Sequence, residues 1–294
     1  MVKLLTNEVH SKEVLGWSGL HLFHATLSSC SQKTRIFLSE KEIPWTSHPI
    51  DLGANENISD FYLGINPRGL VPALVDEGTV HIESNDIILH LEGKFPEPCL
   101  IPTEAQLSLQ EMLQEEDELH PDIRNVTFRF IFEPPVAPKS EEDLERYARM
   151  GSPTVGGKKD DQKAKEIAYW RAYGNHRVSD EDARQSVNTL RGALQHLDAR
   201  LEDAPFLLGS DISIADIAWF VVANRMQIAG YPLGYLHPNM LPWYERLAER
   251  PHWTEETSAP PPFVDIVRQH QERLAIQGRR LIDICDLAEV GSAL

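Results

Sequence analysis

The stretch VPALVDEGTVHIES, Val71 to Ser84, decides the fold. Two short runs of aliphatic and β-branched residues flank Asp76–Gly78, a pattern that predicts two strands joined by a tight turn. A helix is predicted to follow from Ser84 to about Lys94. Upstream, WTSHPI (Trp45–Ile50) predicts another strand, with a loop and a short helix through Asp60–Leu63 between it and the hairpin. Earlier still, LHLFHA (Leu20–Ala25) predicts a short buried strand, and Ser28–Glu40 a helix presenting Ile36 and Phe37 to a core. The order β-α-β-α-β-β-α describes a small sheet with helices packed on it, in roughly 75 residues.

Downstream the pattern changes. FPEPCLIPT (Phe95–Thr103) carries three prolines, which remove donors and disfavour helix before them, so it reads as a linker. Beyond it the chain is helical. Val187, Leu190, Leu194, Leu197 and Leu201 are spaced as one apolar helical stripe. In GSDISIADIAWF, Ser213 is placed to cap a helix with Asp216 reaching back, and Ile212 and Ile217 to staple it. That pattern alone is a folding signal. Pro134 to Asp182 is irregular and predicts a surface loop or a lid over a pocket. The expected division is therefore an N-terminal extension (1–19), a sheet-bearing domain (20–95), a linker (96–103), a helical domain (104–262) with an inserted loop at about 134–182, and a helical tail (263–294) interrupted by Gly278.

At 294 residues the chain can bury two cores. Its composition, 41% hydrophobic and 25% charged, is that of a soluble globular protein. A net charge of −17 argues against nucleic acid or an anionic membrane as partner. No apolar run is long enough to span a bilayer, and the N-terminus lacks a signal-peptide core. Three cysteines, Cys30, Cys99 and Cys285, form no disulfide framework, so a cytoplasmic location is expected.

TLSSCSQKTRIFL (Thr26–Leu38) carries the chemistry. A thiol at a helix start faces orphan backbone N–H groups and the positive end of the dipole, which favour thiolate, and Lys33 would add to this. Ser28 and Ser31 sit three apart, the spacing of a redox C-x-x-C pair with hydroxyls in place of both sulfurs. A hydroxyl cannot form a disulfide but can donate to a thiolate brought by a ligand. The candidates are thus Cys30 as a protein thiolate, or Ser28 and Ser31 assisting an exogenous thiol; Cys30 as a small apolar helix residue is the plain alternative. His21 and His24 cannot join Cys30 around a metal, because they point to opposite faces of a strand, and no metal is expected.

Three segments together, SSCSQKTR, NPRGLVPALVDEGTVHIES and FLLGSDISIADIAW, resemble the signatures of cytosolic glutathione transferases over most of residues 20 to 255. The resemblance implies a thioredoxin-like domain that holds glutathione as co-substrate, followed by an all-helical domain that supplies the second-substrate pocket. It implies a cis-proline at Pro72, with the Val71 backbone pairing with the cysteinyl part of glutathione along a free strand edge. It assigns the γ-glutamyl group to Glu83 and Ser84, with Ser84 also placed to cap the next helix. Ser28 to Arg35 looks like the matching segment of tetrachlorohydroquinone reductive dehalogenases, and Cys30–Ser31 like beta-class transferases. The segment from Ile65 to Ser84, with the long insertion, looks like bacterial β-etherases, which use glutathione to displace a phenol from an aryl ether alpha to a ketone. Where beta-class proteins and β-etherases carry glutamine before Val-Pro, this chain has Leu70. For the glycine carboxylate the sequence shows no unambiguous partner; Arg68 and His48 are the candidates.

For the second substrate, a small aromatic molecule, the candidates are Phe128, Phe130, Tyr169, Trp170, Tyr173, Trp219 and Met226. The resemblance implies a dimer, homodimeric or heterodimeric. The leading functional expectation is a glutathione transferase acting on aromatic electrophiles, by β-aryl ether cleavage or chemistry akin to reductive dehalogenation. The alternatives are a thiol–disulfide oxidoreductase or deglutathionylase through Cys30, and a noncatalytic glutathione-fold binding protein, the latter kept open by Leu70.

Overall fold

The computed structural model describes residues 2–102, 104–132 and 135–287. Position 103 of the expected linker, position 134 of the expected insertion and positions 288–294 of the expected tail lie outside the described residues. The first elements are β1 (Leu20–His24), α1 (Ser29–Glu40), β2 (Thr46–Pro49), α2 (Asp60–Leu63), β3 (Ala73–Asp76), β4 (Thr79–Ile82) and α3 (Ser84–Lys94). They build a four-stranded mixed sheet in the order β2-β1-β3-β4, with β2 parallel to β1 and the other pairs antiparallel. The β3–β4 turn has positive φ at Glu77 (46°) and Gly78 (73°), the backbone that matches the twist of a two-residue hairpin. A Cβ at Gly78 would lie 2.3 Å from the Leu15 carbonyl oxygen, so glycine is required there for space as well.

The N-terminal extension is part of this unit's core. Leu4, Val9 and Val14 are buried against Phe23, Val75 and Val80 on one face of the sheet. The Leu4 amide donates to the Val80 carbonyl (3.0 Å), and the Ile82 amide to the Val2 carbonyl (3.1 Å). His10 and Ser11 amides both donate to the Gly64 carbonyl just past α2 (2.7 and 3.1 Å). The period-two alternation of β3 and β4 shows this face as apolar, but nothing in the pattern of residues 1–19 says that they cover it.

Two helices follow, α4 (Gln106–Glu118) and α5 (His120–Phe130), and then the segment expected to be a loop. It is instead α6 (Glu141–Arg149), a short hairpin of β5 (Thr154–Val155) and β6 (Lys158–Lys159), and α7 (Gln162–His176). Ser140 caps α6 through the Asp143 amide (3.0 Å), and buried Leu144, Tyr147 and Ile167 pack with Ile58 and Leu63 beside α2. Residues Ala137–Arg177 accordingly form one compact unit with Met1–Pro98. The irregular look of this segment came from its Pro and Gly turns, which join short ordered pieces.

The second unit comprises Cys99–Val136 and Val178–Leu294. It holds α4 and α5 with α8 (Asp180–Arg200), α9 (Ile214–Ile228), α10 (Leu233–Leu236), α11 (Met240–Ala248), α12 (Pro251–Thr257), α13 (Pro261–Gln277) and α14 (Leu281–Ile284). The stripe Val187, Leu190, Leu194 and Leu197 is the buried face of α8. Gly278 ends α13 in the left-handed conformation. Among the described residues no helix is long and apolar enough to cross a membrane.

Candidate active site

Helix α1 starts where the chain leaves β1. Ser28 takes the N-cap with extended backbone, and its Oγ accepts from the Ser31 amide (3.3 Å). Such a hydroxyl keeps its own O–H to donate. Cys30 lies in the first turn, half-buried. Ser31 is fully buried, and its Oγ accepts from the Ala25 amide (3.2 Å). Ser31 differs from Ser28 in its burial: its oxygen accepts inside the β1–α1 loop and, like that of Ser28, it keeps an O–H to donate. Arg35 secures the same loop, donating to the Ala25 and Thr26 carbonyls (3.3 and 3.2 Å). His24 lies beside it, and burial followed by the Arg35 charge pulls its pKa down to about 4.

Lys33 is buried. Its Nζ donates to Asn85 Oδ1 in the first turn of α3 (2.7 Å), tying the starts of α1 and α3 together. At that start Glu83 holds φ 68°, ψ 120°, a conformation uncommon for a residue with a side chain. Strained backbone of this kind gathers at functional sites. Ser84 is the first helical residue and does not cap α3, contrary to the expected double role. It is 3% exposed, and its Oγ has no hydrogen-bond partner among the described residues. A buried hydroxyl without a partner is costly unless a ligand completes it.

The loop before β3 is held from several sides. Tyr62 Oη and Asn66 Nδ2 both donate to the Leu70 carbonyl (2.6 and 2.7 Å), and Asn57 Nδ2 donates to the Gly69 carbonyl (2.7 Å). Val71–Pro72 is cis. The backbone N–H and C=O of Val71 have no partner among the described residues. The Val71 backbone is thus left unpaired next to the cis bond.

Arg68 does not serve as an open cation. Its Nη1 donates to Glu83 Oε1 (2.6 Å), while Nε and Nη2 grip both oxygens of Asp160 (3.0 and 2.5 Å). Burial alone would lower its pKa, but the hydrogen bonds to Asp160 and the Glu83 charge more than offset that and hold it above its ordinary value. His48 is likewise occupied: its ring stacks on Trp17 (4.9 Å) and its Nε2 meets His21 Nδ1 (3.0 Å). Burial, then His21, lowers its pKa, which makes it a poor cation for a carboxylate.

The aromatic candidates fall into separate places. Phe130, Trp219 and Met226 are at most 1% exposed, and the Trp219 indole N–H donates to the Met112 carbonyl (3.2 Å). They are core of the second unit, which corrects their assignment to a pocket wall; a helix-period stripe of large apolar residues does not distinguish the two. Phe128, also in the second unit, is half-buried and tilted against Phe132. Tyr169, Trp170 and Tyr173 cluster on α7 in the first unit, with ring centroids 5.7–6.1 Å apart. Arg177 lies over Tyr173 and Lys139 over Trp170. The groups missed from sequence were Asp160, within the segment taken for a loop, and the Tyr62–Asn66 pair on Leu70, which only the folded backbone brings together.

Residues 22–99 match the family described as "Glutathione S-transferase, N-terminal domain", and residues 180–246 that described as "Glutathione S-transferase, C-terminal domain". The tetrachloro-p-hydroquinone reductive dehalogenase of Sphingobium chlorophenolicum is 28% identical over 235 residues, which span 78% of this chain and 92% of that protein. Mouse glutathione S-transferase theta-1 is 24% identical over 78% of this chain and 82% of its own length. In fold, the chain is similar to the beta-etherase LigF of Sphingobium sp. strain SYK-6, with a TM-score of 0.68 and 24% identity over 81% of this chain and 98% of that one. The inserted segment lies between the two matched regions. The sheet, the helical unit and both sequence matches agree: the chain carries the N- and C-terminal domains of the glutathione S-transferase family.

Proposed function

We propose that the protein is a glutathione transferase that binds glutathione in its first unit and directs the thiolate at an aromatic electrophile. The observation that carries this is a pair of unfilled features in one unit, the unpaired Val71 backbone and the unpartnered Ser84 hydroxyl next to Glu83, with the α1 start tied to α3 by Lys33 and Asn85. An extended tripeptide has the complementary groups. Its cysteinyl N–H and C=O pair with Val71, its γ-glutamyl ammonium with Glu83, and its γ-glutamyl carboxylate with Ser84 and the α3 amides. The sulfur then rests at the α1 start, where the helix amides and the Ser28 hydroxyl favour thiolate.

The thiolate forms a C–S bond at the electrophilic carbon while the bond to the leaving group breaks. For a β-aryl ether alpha to a ketone the leaving group is a phenolate. In a halogenated hydroquinone it is halide, after which the Cys30 thiolate can attack the sulfur of the conjugate: the S–S bond forms as the aryl C–S bond breaks, the ring carbon keeps the electron pair and takes a proton, and Cys30 is left as a mixed disulfide with glutathione. The half-buried Cys30 at a helix start favours one second reading, a glutathione-dependent thiol–disulfide oxidoreductase. Homodimerisation and a cytoplasmic setting are part of the proposal, on the strength of the family.

The test is a glutathione-dependence screen over β-aryl ethers, halogenated hydroquinones and small disulfides, with product identification, for the protein and for Cys30→Ala. Ether cleavage retained by Cys30→Ala with disulfide reduction lost assigns Cys30 a redox role only. No glutathione-dependent turnover of any of the three classes would overturn the proposal.

A further inference from the structure

The inserted segment reaches the proposed glutathione site through a chain of charges. Glu83, the group proposed for the γ-glutamyl ammonium, is gripped by Arg68 (2.6 Å), and Arg68 by Asp160 (3.0 and 2.5 Å). The Arg68 and Asp160 side chains are 16% and 15% exposed, while Glu83 is left 34% exposed, open on its outer side. The Tyr147 hydroxyl, from α6, donates to the Arg68 carbonyl and fixes the backbone behind the guanidinium. Asp160 directly follows β6, and the hairpin that presents it is itself clasped. Glu8, 2% exposed, accepts from Thr154 Oγ1 (2.6 Å) and from the Gly156 and Gly157 amides (both 2.9 Å).

We infer that the insertion is a built-in brace of the glutathione site, with Asp160 as a positioning residue for Glu83; this rests on the function proposed above. The reasoning is one of charge and geometry. An arginine paired with Glu83 alone would neutralise it and oppose a ligand ammonium. Asp160 gives Arg68 a bidentate partner of its own, so the trio carries one net negative charge and Glu83 remains an anion toward the ligand. The same fork geometry fixes the direction of the guanidinium and hence of the Glu83 carboxylate. Glu8 acts one step further back, by holding the hairpin.

The experiment measures equilibrium binding of glutathione, and of its analogue lacking the γ-glutamyl amino group, to the full-length protein and to Asp160→Asn, Asp160→Glu and Glu8→Gln, with thermal melts alongside. Asp160→Asn should weaken glutathione about tenfold, the scale of a lost charge-assisted contact. Asp160→Glu should stay within about threefold of wild type, because the charge is kept. Glu8→Gln, which leaves the Arg68 cluster in place and serves if Asp160→Asn fails to fold, should weaken glutathione about threefold. All of these losses should vanish with the des-amino analogue, and in turnover they should fall on KM for glutathione. Unchanged glutathione affinity in the aspartate and glutamate variants, or equal losses for both ligands, would overturn the brace while leaving the proposed function intact. Failure of the wild-type protein to bind glutathione overturns both.

Discussion

At the scale of single residues, two buried histidines contribute to how the fold responds to acid. His24, beside Arg35, and His81, stacked on His90 at 3.9 Å, both have pKa values near 4, mainly because burial disfavours the charged ring. In the unfolded chain each titrates near 6.5. Between about pH 6.5 and 4 the unfolded state therefore binds more protons than the native state, and stability falls as pH falls. Between pH 7 and 5 this amounts to about 2 kcal/mol per histidine. Urea melts at the two pH values should show that loss, and His81→Phe, which keeps a ring against His90, should remove about half of it. A His81→Phe variant with the wild-type pH dependence would mean that burial at this position does not hold the ring neutral. The serines of α1 differ in burial: Ser28 is half-buried at the cap, whereas Ser31 is fully buried in the loop, and each accepts one backbone amide.

At the scale of elements, the start of α9 shows what sequence patterns capture well. Asp216 is fully buried and accepts four hydrogen bonds, from the Ser213 amide (2.8 Å) and hydroxyl (2.7 Å), the Leu207 amide (2.9 Å) and the Trp243 indole (2.8 Å). Burial outweighs these donors and pushes its carboxyl pKa up. Asp216→Ala strands all four donors and should cost about 3–5 kcal/mol, read as a lowered urea midpoint. A loss below about 1 kcal/mol would show the cap to be incidental. The capping half of this network was legible because Ser213 and Asp216 are three residues apart; the Leu207 and Trp243 contacts were not, because they depend on how distant segments return. The same divide runs through the candidate site. Val71, Pro72, Glu83 and Ser84 lie within fourteen residues and could be read from one motif. Asp160 is 92 positions from Arg68, in a segment whose prolines and glycines mask its short helices, so no local pattern announced it. Trp219 and Phe130 show the reverse failure, since an aromatic on a helix carries no local mark of whether it lines a pocket or fills a core.

At the scale of the whole molecule, the chain enters its first unit twice, through Met1–Pro98 and again through Ala137–Arg177. The thioredoxin-like part is therefore not a free-standing module with a loop hung elsewhere. Its apolar surface at Ile58 and Leu63 is covered by Leu144, Tyr147 and Ile167 from the second passage, and Glu8 of the first passage clasps the inserted hairpin. Replacing residues 137–177 by a glycine–serine linker should leave Ile58 and Leu63 exposed. Uncovering two such side chains costs about 3–6 kcal/mol. For a unit of this size that lowers the melting temperature by about 10 °C or more, with new binding of a hydrophobic dye. A detachable lid makes the opposite forecast, because removing it leaves the core beneath untouched. A deletion variant that melts at the wild-type temperature without dye binding would establish the lid, and would leave the coverage of Ile58 and Leu63 without energetic weight.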